Sequence, residues 1–246
     1  MFEFCFALCY NTFTMIVCGF EKFSMVDYDG KIACTVFTGG CNFRCPFCHN
    51  GSLVIGDVKS QEISLDEVFD YLEKRKGLVD AVCVTGGEAT LQHGLAEFYA
   101  KVREMGYLTK LDTNGLRPDV LKDLLDKNLL DYVAMDIKNS KAKYALTTGV
   151  KDVDIDKINE SVEMLKHSNI DYEFRTTLIK EFHDENDMRE IAEWVKGAKR
   201  YFMQHYNDTE GCISHGFTDF SKVETEAFVP LFDGKVEQVG IRGYKA

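Results

Sequence analysis

The sequence predicts an α/β fold, a partial (β/α)6 barrel whose parallel sheet is covered by outer helices and open on one side. Short runs rich in β-branched and aromatic residues alternate with amphipathic helical runs, at a spacing of roughly 25 residues. Parallel strands joined by helical crossovers explain this alternation. Six such units are fewer than the eight of a closed barrel, so an open barrel fits best. A doubly wound parallel sheet is the alternative that the same pattern allows.

The elements follow one another in a regular order. Helices are predicted from Ser64, whose Ser-x-x-Glu sequence is typical of a capping box, and from Pro118 at a first-turn position. Residues 208–221 are predicted to form a loop, and 236–240 could add a last short strand. Helical periodicity also covers 91–105, 156–167 and 184–196, and the strand pattern is carried by 32–37, 79–84, 107–111, 132–137, 172–178 and 201–204.

Composition disfavours several classes of function. Forty acidic residues against 29 basic ones give a net charge of −11, and no run of Lys or Arg provides a surface for nucleic acid. The nine cysteines are odd in number and follow no secretory signal pattern, which predicts a reducing cytoplasm and thiols used for metal or core packing. The apolar residues 1–14 are too few to span a membrane. They are predicted to be an extension, with 15–246 as a single domain.

The most informative stretch is Cys41-x3-Cys45-x2-Cys48, directly after the first predicted strand. Three neighbouring thiolates can hold one inorganic centre, but a closed structural zinc or iron–sulfur site has four ligands. We therefore favour a [4Fe–4S] cluster with one iron left for an outside ligand. A zinc site completed by His49 and thiols without a metal are the alternatives, although Cys48 and His49 are adjacent and neighbours rarely bind one tetrahedral ion together.

Further polar residues follow the next three predicted strands. Gly86-Gly87-Glu88 follows the second strand, Asp112-Thr113 the third, and Asp136 with Lys138 the fourth. Because parallel strands end at one edge, these groups and the cysteines would share a site. Each also has a plain structural interpretation: a tight turn for the glycines, an Asx turn for Asp112, and an ion pair for Asp136 and Lys138.

Taken together, these residues resemble the radical S-adenosylmethionine (SAM) superfamily. The resemblance rests on the three-cysteine motif, with an aromatic residue before its third cysteine, and on Gly-Gly-Glu after the second strand. Within the superfamily, the stretches 26–30, 40–50, 86–89 and 112–115 are similar to those of the glycyl-radical-enzyme activases. Two positions depart from that pattern, since Asp29 stands where proline is usual and Gly39 where glutamine is frequent.

The resemblance implies a role for each polar group. Glu88, with the backbone of Gly86 and Gly87, would bind the amine of SAM, and Lys138 would neutralise its carboxylate. Phe47 would lie against the adenine. Asp112, Thr113 and Asp136 would support a monovalent cation, Na+ or K+, beside the carboxylate of SAM. Arg175 would touch the polar edge of SAM, and His205 stands near a histidine that contacts SAM in the activases. Asp27 would touch a loop of the partner protein.

The resemblance also implies the reaction and its partners. A reduced [4Fe–4S] cluster would cleave SAM, and the resulting 5′-deoxyadenosyl radical would take a hydrogen atom from a glycine Cα of a glycyl radical enzyme. Residues 21–31 are most similar to the activating proteins of anaerobic ribonucleoside-triphosphate reductases. Pyruvate formate-lyase or another glycyl radical enzyme is the alternative partner. A reduced flavodoxin or ferredoxin-type protein would supply the electron.

Two other classes of function stay open from the sequence. One is a radical SAM enzyme that acts on a small molecule or a tRNA base, against which the acidic composition argues. The other is a non-enzymatic iron–sulfur or zinc module for electron transfer or regulation. Cleavage of SAM by the reduced, reconstituted protein would separate an enzyme from such a module.

Overall fold

An eight-stranded sheet forms the centre of the computed structural model, which describes residues 15–244 apart from the side chains of residues 60 and 61. β1 runs antiparallel to β2, and every other neighbouring pair is parallel. The extension predicted at 1–14 lies outside the described residues. In chain order the strands are β1 (Val17–Ser24), β2 (Ala33–Thr38), β3 (Ala81–Gly86), β4 (Leu108–Thr113), β5 (Tyr132–Asp136), β6 (Asp171–Leu178), β7 (Arg200–His205) and β8 (Gln238–Arg242).

The strands lie in the sheet in the same order as in the sequence, with β1 and β8 at its two edges. A doubly wound sheet would place strands on both sides of the first parallel strand, so that alternative is wrong. The predicted open barrel is confirmed. Across its open side, Asp29 in the loop after β1 forms an ion pair with Arg242 of β8, with 2.6 Å between Oδ2 and Nη2.

The barrel has one more strand at each edge than the six that the alternating pattern predicts. β8 is the short strand that 236–240 could supply, shifted two residues along the chain. β1 was not anticipated from the sequence, because Glu21, Lys22 and Phe23 are all exposed and leave no apolar alternation to detect.

Helices cover the outer face of the sheet. α2 begins after Ser64 as predicted, and the Ser64 side chain accepts a hydrogen bond from the Asp66 N–H at 3.2 Å. The helix predicted from residue 91 starts later, because Ala89–Leu91 is a 3-10 turn and Gly94 follows with a φ of 82°. The α-helices are α1 (Gly51–Ile55), α2 (Leu65–Lys74), α3 (Leu95–Glu104), α4 (Pro118–Asp126), α5 (Tyr144–Thr148), α6 (Ile155–Lys166), α7 (Glu185–Trp194) and α8 (Lys222–Glu226).

Hydrophobic side chains pack on both faces of the sheet. The larger core lies between the strands and the helices, where residues such as Val84, Leu111 and Phe174 are fully buried. A smaller cluster inside the barrel joins Tyr28 to side chains from the starts of the strands, namely Ala33, Ala81, Cys83, Tyr132 and Ala134. This cluster closes one end of the barrel interior, so the end where the parallel strands finish is left for polar groups. None of the described helices is long and apolar enough to cross a membrane.

Candidate active site

The loop after β2 brings the three predicted cysteines to the carboxyl end of the barrel. Cys41, Cys45 and Cys48 all line one cavity of about 220 Å³. The other walls come from the exits of β3 to β7 and include Glu88, Asp112, Asp136, Lys138, Arg175 and Gln204. The structure therefore brings the cysteines together with most of the polar groups that follow the later strands.

The three thiols are held in a setting that disfavours free thiolates. Burial raises the pKa of Cys41 to about 11 and that of Cys45 to about 12, and it also raises the pKa of Cys48. The thiols therefore need positive charge, such as the irons of a cluster, to become ligands. Within residues 15–244, no three His, Cys, Asp or Glu side chains are arranged to hold a single metal ion.

Glycines allow the exit of β3 to pack directly against the cysteine loop. A Cβ on Gly87 would lie 1.9 Å from the Gly40 carbonyl oxygen, so no side chain fits there. Gly86 has a φ of 111°, a conformation that favours glycine. The Gly87 N–H donates to the Thr38 carbonyl and the Glu88 N–H to the Gly40 carbonyl, each at 2.8 Å. The turn interpretation of these glycines is thus correct, and the turn also forms a wall of the cavity.

Glu88 links the exits of β3 and β4. Its side chain is only 1% exposed. Oε1 accepts hydrogen bonds from Thr113 Oγ1 at 2.7 Å and from Thr90 Oγ1 at 2.5 Å, and Oε2 accepts one from the Asn114 N–H at 2.7 Å. Burial raises the pKa of Glu88, although these hydrogen bonds oppose the shift. The carboxyl is therefore fixed in position at the cavity wall, where a cationic ligand would stabilise its charged form.

A chain of ion pairs runs through the interior of the barrel. Lys110 Nζ lies 3.2 Å from Asp112 Oδ1, and Arg175 Nη1 lies 3.2 Å from Asp112 Oδ2. Arg175 Nε also donates to Asp136 Oδ1 at 3.0 Å, and Lys138 Nζ to Asp136 Oδ2 at 2.8 Å. Burial would raise the pKa of Asp136, but Lys138 and Arg175 outweigh it and hold this pKa at about 2. Asp136 and Lys138 therefore form the ion pair that was the structural interpretation of these residues, and this pair is part of the cavity wall.

The charges of this chain of ion pairs decide which ligand it suits. Within this chain three cations, Lys110, Arg175 and Lys138, face two carboxylates. Glu88 and Asp27 bring two further carboxylates into the barrel interior. Asp112 Oδ1 is buried and accepts no hydrogen bond within the described residues, although Lys110 lies near it. Where the chain lines the cavity, Lys138 and Arg175 share the carboxylate of Asp136, which favours a ligand carboxylate beside these two cations over an additional cation.

Two of the predicted SAM contacts lie outside the cavity. The ring of Phe47 is 5% exposed and packs against Phe182 and Tyr206, at centroid distances of 5.8 and 6.5 Å. His205 lies on the outer face of β7, where Nε2 is 2.8 Å from Asp219 Oδ2. Alternate residues of a strand point to opposite faces, so Gln204 lines the cavity in place of His205.

Asp27 lies inside the barrel, below the cavity. Its Oδ2 accepts a hydrogen bond from Thr35 Oγ1 at 2.7 Å, and its backbone carbonyl accepts one from Lys110 Nζ. Asp27 is thus joined through Lys110 to the ion pairs around Asp112. A side chain that is already hydrogen bonded to β2 can touch a partner only if the partner reaches into the barrel.

Two asparagines from the stretches similar to the activases also belong to the site, and Lys110 belongs to it although no motif in the sequence singled it out. Asn50 Nδ2 donates to the Gly86 carbonyl at 2.9 Å, and Asn114 Nδ2 donates to Asn42 Oδ1 at 2.7 Å. Both asparagines line the cavity and tie the cysteine loop to the strand exits. Lys110 shares the inner face of β4 with Asp112, two residues on, so strand alternation could have predicted it. At Gly39, where the family pattern frequently has glutamine, a Cβ would lie 2.8 Å from both Cys18 Sγ and Val58 Cβ.

Comparison with known proteins identifies the class. Residues 35–195, more than half of the chain, match the Radical SAM superfamily, and the chain belongs to that superfamily of enzymes. Membership implies a [4Fe–4S] cluster and SAM, and the cysteines that line one cavity with Glu88 and Lys138 fit both groups. The structure of Streptococcus suis SuiB bound to SAM superposes on this chain with a TM-score of 0.65. The superposition covers 83% of this chain and 48% of that chain. Because the two sequences are 12% identical, this likeness shows the fold alone.

Two relatives with higher identity are named as activating enzymes of glycyl radical enzymes, one group within the superfamily. A protein of Methanocaldococcus jannaschii, described as a candidate glycyl-radical enzyme activating enzyme, is 32% identical over 195 residues, which cover 78% of this chain and 80% of that protein. The pyruvate formate-lyase-activating enzyme of Streptococcus mutans serotype c is 32% identical over 151 residues, which cover 57% of each protein.

Proposed function

We propose that the protein cleaves SAM at a [4Fe–4S] cluster and activates a partner enzyme by removing a hydrogen atom from a glycine Cα. The observation that carries the proposal is the shared cavity, which Cys41, Cys45 and Cys48 line together with Glu88 and Lys138. The likeness to proteins named as glycyl-radical enzyme activating enzymes supports the choice of a protein as the substrate. Anaerobic ribonucleoside-triphosphate reductase is the partner we favour, and pyruvate formate-lyase or another glycyl radical enzyme is the alternative.

When bound, the cluster and SAM would supply the electron transfer and the carbon-centred radical. The three cysteines would hold three irons and leave the fourth to SAM. Glu88, fixed by Thr113 and Asn114, would bind the amine of SAM, beside the backbone of Gly86 and Gly87. Lys138 and Arg175 would bind the carboxylate, because these two cations share the carboxylate of Asp136 on that wall.

The monovalent cation belongs to the same proposal. Asp112 and Asp136 already face Arg175, so a further cation would be repelled from the free protein. The carboxylate of bound SAM would supply the missing negative charge. We therefore expect Na+ or K+ to bind beside Asp112, Thr113 and Asp136 only after SAM.

The open side of the barrel suits a substrate that is part of a protein. The sheet edges β1 and β8 are not paired with each other, and a segment carrying glycine would reach the cavity between them. Such a segment would pass Asp27 and the Asp29–Arg242 ion pair. The electron would come from a reduced flavodoxin or ferredoxin-type protein, and we infer a cytoplasmic location from the reducing conditions that this chemistry needs.

The decisive experiment mixes the reduced, reconstituted protein with SAM and candidate glycyl radical enzymes in the absence of O2. We expect a doublet in the electron paramagnetic resonance (EPR) spectrum from one partner, together with 5′-deoxyadenosine. The matched control is the same partner with its radical glycine replaced by alanine, which should give no doublet. Formation of 5′-deoxyadenosine only with a nucleoside or other small molecule would contradict the proposal and favour a small-molecule substrate.

Replacing Glu88 by glutamine is expected to weaken SAM binding without loss of iron. Glutamine keeps the shape of the side chain but removes the charge that an ammonium group would meet, a loss of roughly 2 kcal/mol or about 30-fold in Kd. Equilibrium binding of SAM and iron content are the measurements. Glu97→Gln, an exposed carboxylate on α3, is the control and should match wild type. Loss of iron from Glu88→Gln would instead indicate that Glu88 mainly supports the cysteine loop.

A further inference from the structure

A distant segment, residues 206–214, packs along the cysteine loop on the side away from the cavity. Its backbone forms three hydrogen bonds with that loop. The Ser214 N–H donates to the Pro46 carbonyl at 2.7 Å and the Ile213 N–H donates to the Cys48 carbonyl at 3.2 Å. In the opposite sense, the Gly51 N–H donates to the Gly211 carbonyl at 2.9 Å. We call residues 206–214 the clamp segment.

Side chains add two further contacts between the clamp segment and the loop. His49 Nε2–H donates to the Asn207 carbonyl at 2.6 Å, and the His49 ring stacks on Tyr206 with centroids 5.7 Å apart and an interplanar angle of 10°. The histidine that could have completed a zinc site is therefore engaged by the clamp segment. Cys212 is buried in the same contact, with Sγ 3.9 Å from the Phe47 carbonyl oxygen.

The two backbones are too close for side chains where they meet. A Cβ on Gly211 would lie 2.5 Å from the His49 carbonyl oxygen, and a Cβ on Gly51 would lie 2.7 Å from the Gly211 carbonyl oxygen. Gly211 does not have a positive φ, so its need for glycine comes from this contact and not from its backbone conformation. A single methyl group at residue 211 would thus push the clamp segment away from the loop.

The clamp segment fixes the direction of two peptide groups near Cys48, the Pro46–Phe47 and Cys48–His49 peptides. In a trans peptide the carbonyl of one residue and the N–H of the next point in opposite directions, and the described residues contain no cis peptide. Because the Pro46 and Cys48 carbonyls point to the clamp segment, the N–H groups of Phe47 and His49 point away from it. Backbone N–H groups that donate to the sulfurs of an iron–sulfur cluster raise its reduction potential and help to retain it.

We propose that the clamp segment positions the third cysteine and the adjacent peptide groups, and thereby controls how firmly and at what potential the cysteines hold their cluster. His49, Tyr206 and Gly211 are then positioning residues and do not themselves touch SAM or substrate. The proposal depends on cluster binding by Cys41, Cys45 and Cys48. It does not depend on which molecule the enzyme activates.

The test compares Gly211→Ala with Glu210→Ala, an exposed neighbour in the same segment. We expect the reconstituted Gly211→Ala protein to release iron to a chelator about tenfold faster than wild type and to show a more negative reduction potential by EPR titration. Glu210→Ala should match wild type in both. The thermal midpoint of each apo-protein is measured in parallel, and release rates are compared well below it. No SAM or partner is present, so failure here is distinct from failure of the proposed function.

His49→Ala provides a second variant that introduces no clash. It removes the ring stacking and the bond to Asn207, and we expect faster iron release than in wild type. If Gly211→Ala does not fold, the His49→Ala result decides the question. Iron release and potential equal to wild type in a folded His49→Ala or Gly211→Ala protein would overturn the proposal, as would equal changes in Glu210→Ala.

Discussion

Replacement of Cys41, Cys45 or Cys48 by alanine, one at a time, is expected to abolish SAM cleavage. Each cysteine lines the cavity, and loss of any one leaves two thiols for a cluster that needs three protein ligands when SAM takes the fourth position. The measurement is 5′-deoxyadenosine formed by the reduced protein after anaerobic reconstitution, with iron and sulfide counted on the same sample. Wild type is expected to bind about four irons per chain.

Cys34→Ala and Cys83→Ala are the matched controls and should retain SAM cleavage. Cys83 lies in the cluster with Tyr28 at the closed end of the barrel, with Sγ 3.4 Å from the Asp27 carbonyl oxygen. Cys34 is fully buried on β2, in the core between the strands and the helices, and does not line the cavity. Equal loss of activity in the two sets of variants would show that the metal-binding thiols are wrongly assigned.

Arg175→Met is expected to give the largest loss of stability among single substitutions in the site. The guanidinium bridges Asp112 and Asp136, and methionine fills similar space without charge. Removal of one member of a buried ion pair costs about 3–5 kcal/mol, and we expect the lower end because Lys110 and Lys138 still neutralise one carboxylate each. The measurement is urea unfolding of the reduced apo-protein, with the free energy of unfolding compared at pH 7.

Arg117→Met is the control for this prediction. Arg117 forms a two-point ion pair with Asp119 on the surface, with 2.7 Å between Nη2 and Oδ2, and its removal should cost less than about 1 kcal/mol. A loss of similar size in both variants would contradict the buried role of Arg175.

The same ion pairs predict that the stability of the fold depends on pH. The pKa of Asp136 is about 2 in the folded protein and 3.8 for an ordinary aspartate, so its charge stabilises the fold above about pH 4. That contribution is lost as the pH falls toward 2. The stability difference between wild type and Arg175→Met should therefore shrink over this range.

The sequence indicates which residues meet in one cavity where the constraint is local. Cys41, Cys45, Cys48 and Glu88 lie within short motifs at strand exits, and parallel strands bring all their carboxyl ends to one rim. Strand positions were also predictable, because buried parallel strands are nearly continuous apolar runs. The five-residue helices α1, α5 and α8 were not, since fewer than two turns show no helical period.

The motifs did not determine the direction in which each side chain points. A motif fixes where a residue lies along the chain, whereas a shift of one residue on a strand moves its side chain to the opposite face. His205 and Gln204 differ by that single step, and only Gln204 lines the cavity. Phe47 lies in the cysteine loop as the motif requires, but its ring packs against Phe182, which comes from a distant part of the chain.

Contacts between segments that are far apart in the sequence account for the other features of the structure that the sequence did not predict. The contact between Pro46–Gly51 and residues 206–214 joins segments separated by more than half of the chain, and neither carries a strand or helix pattern. The balance of three cations and two carboxylates also becomes visible only when β4, β5 and β6 lie side by side. The sequence could identify Asp112, Asp136, Lys138 and Arg175, but it could not decide between a cation site and a set of ion pairs.

The gap between β1 and β8 makes the wall of the barrel unequal in stiffness. Seven neighbouring strand pairs are held by backbone hydrogen bonds, and bending any of them apart would break several at once. Across the gap, the two edges meet through the partly exposed Asp29–Arg242 ion pair, and a pair of this kind contributes about 1 kcal/mol or less. The barrel wall can therefore deform at the gap between β1 and β8, whereas the part that carries the cysteines and Glu88 is rigid. Polypeptide segments of different widths could enter at this gap while the distances among the metal-binding and SAM-binding groups stay constant.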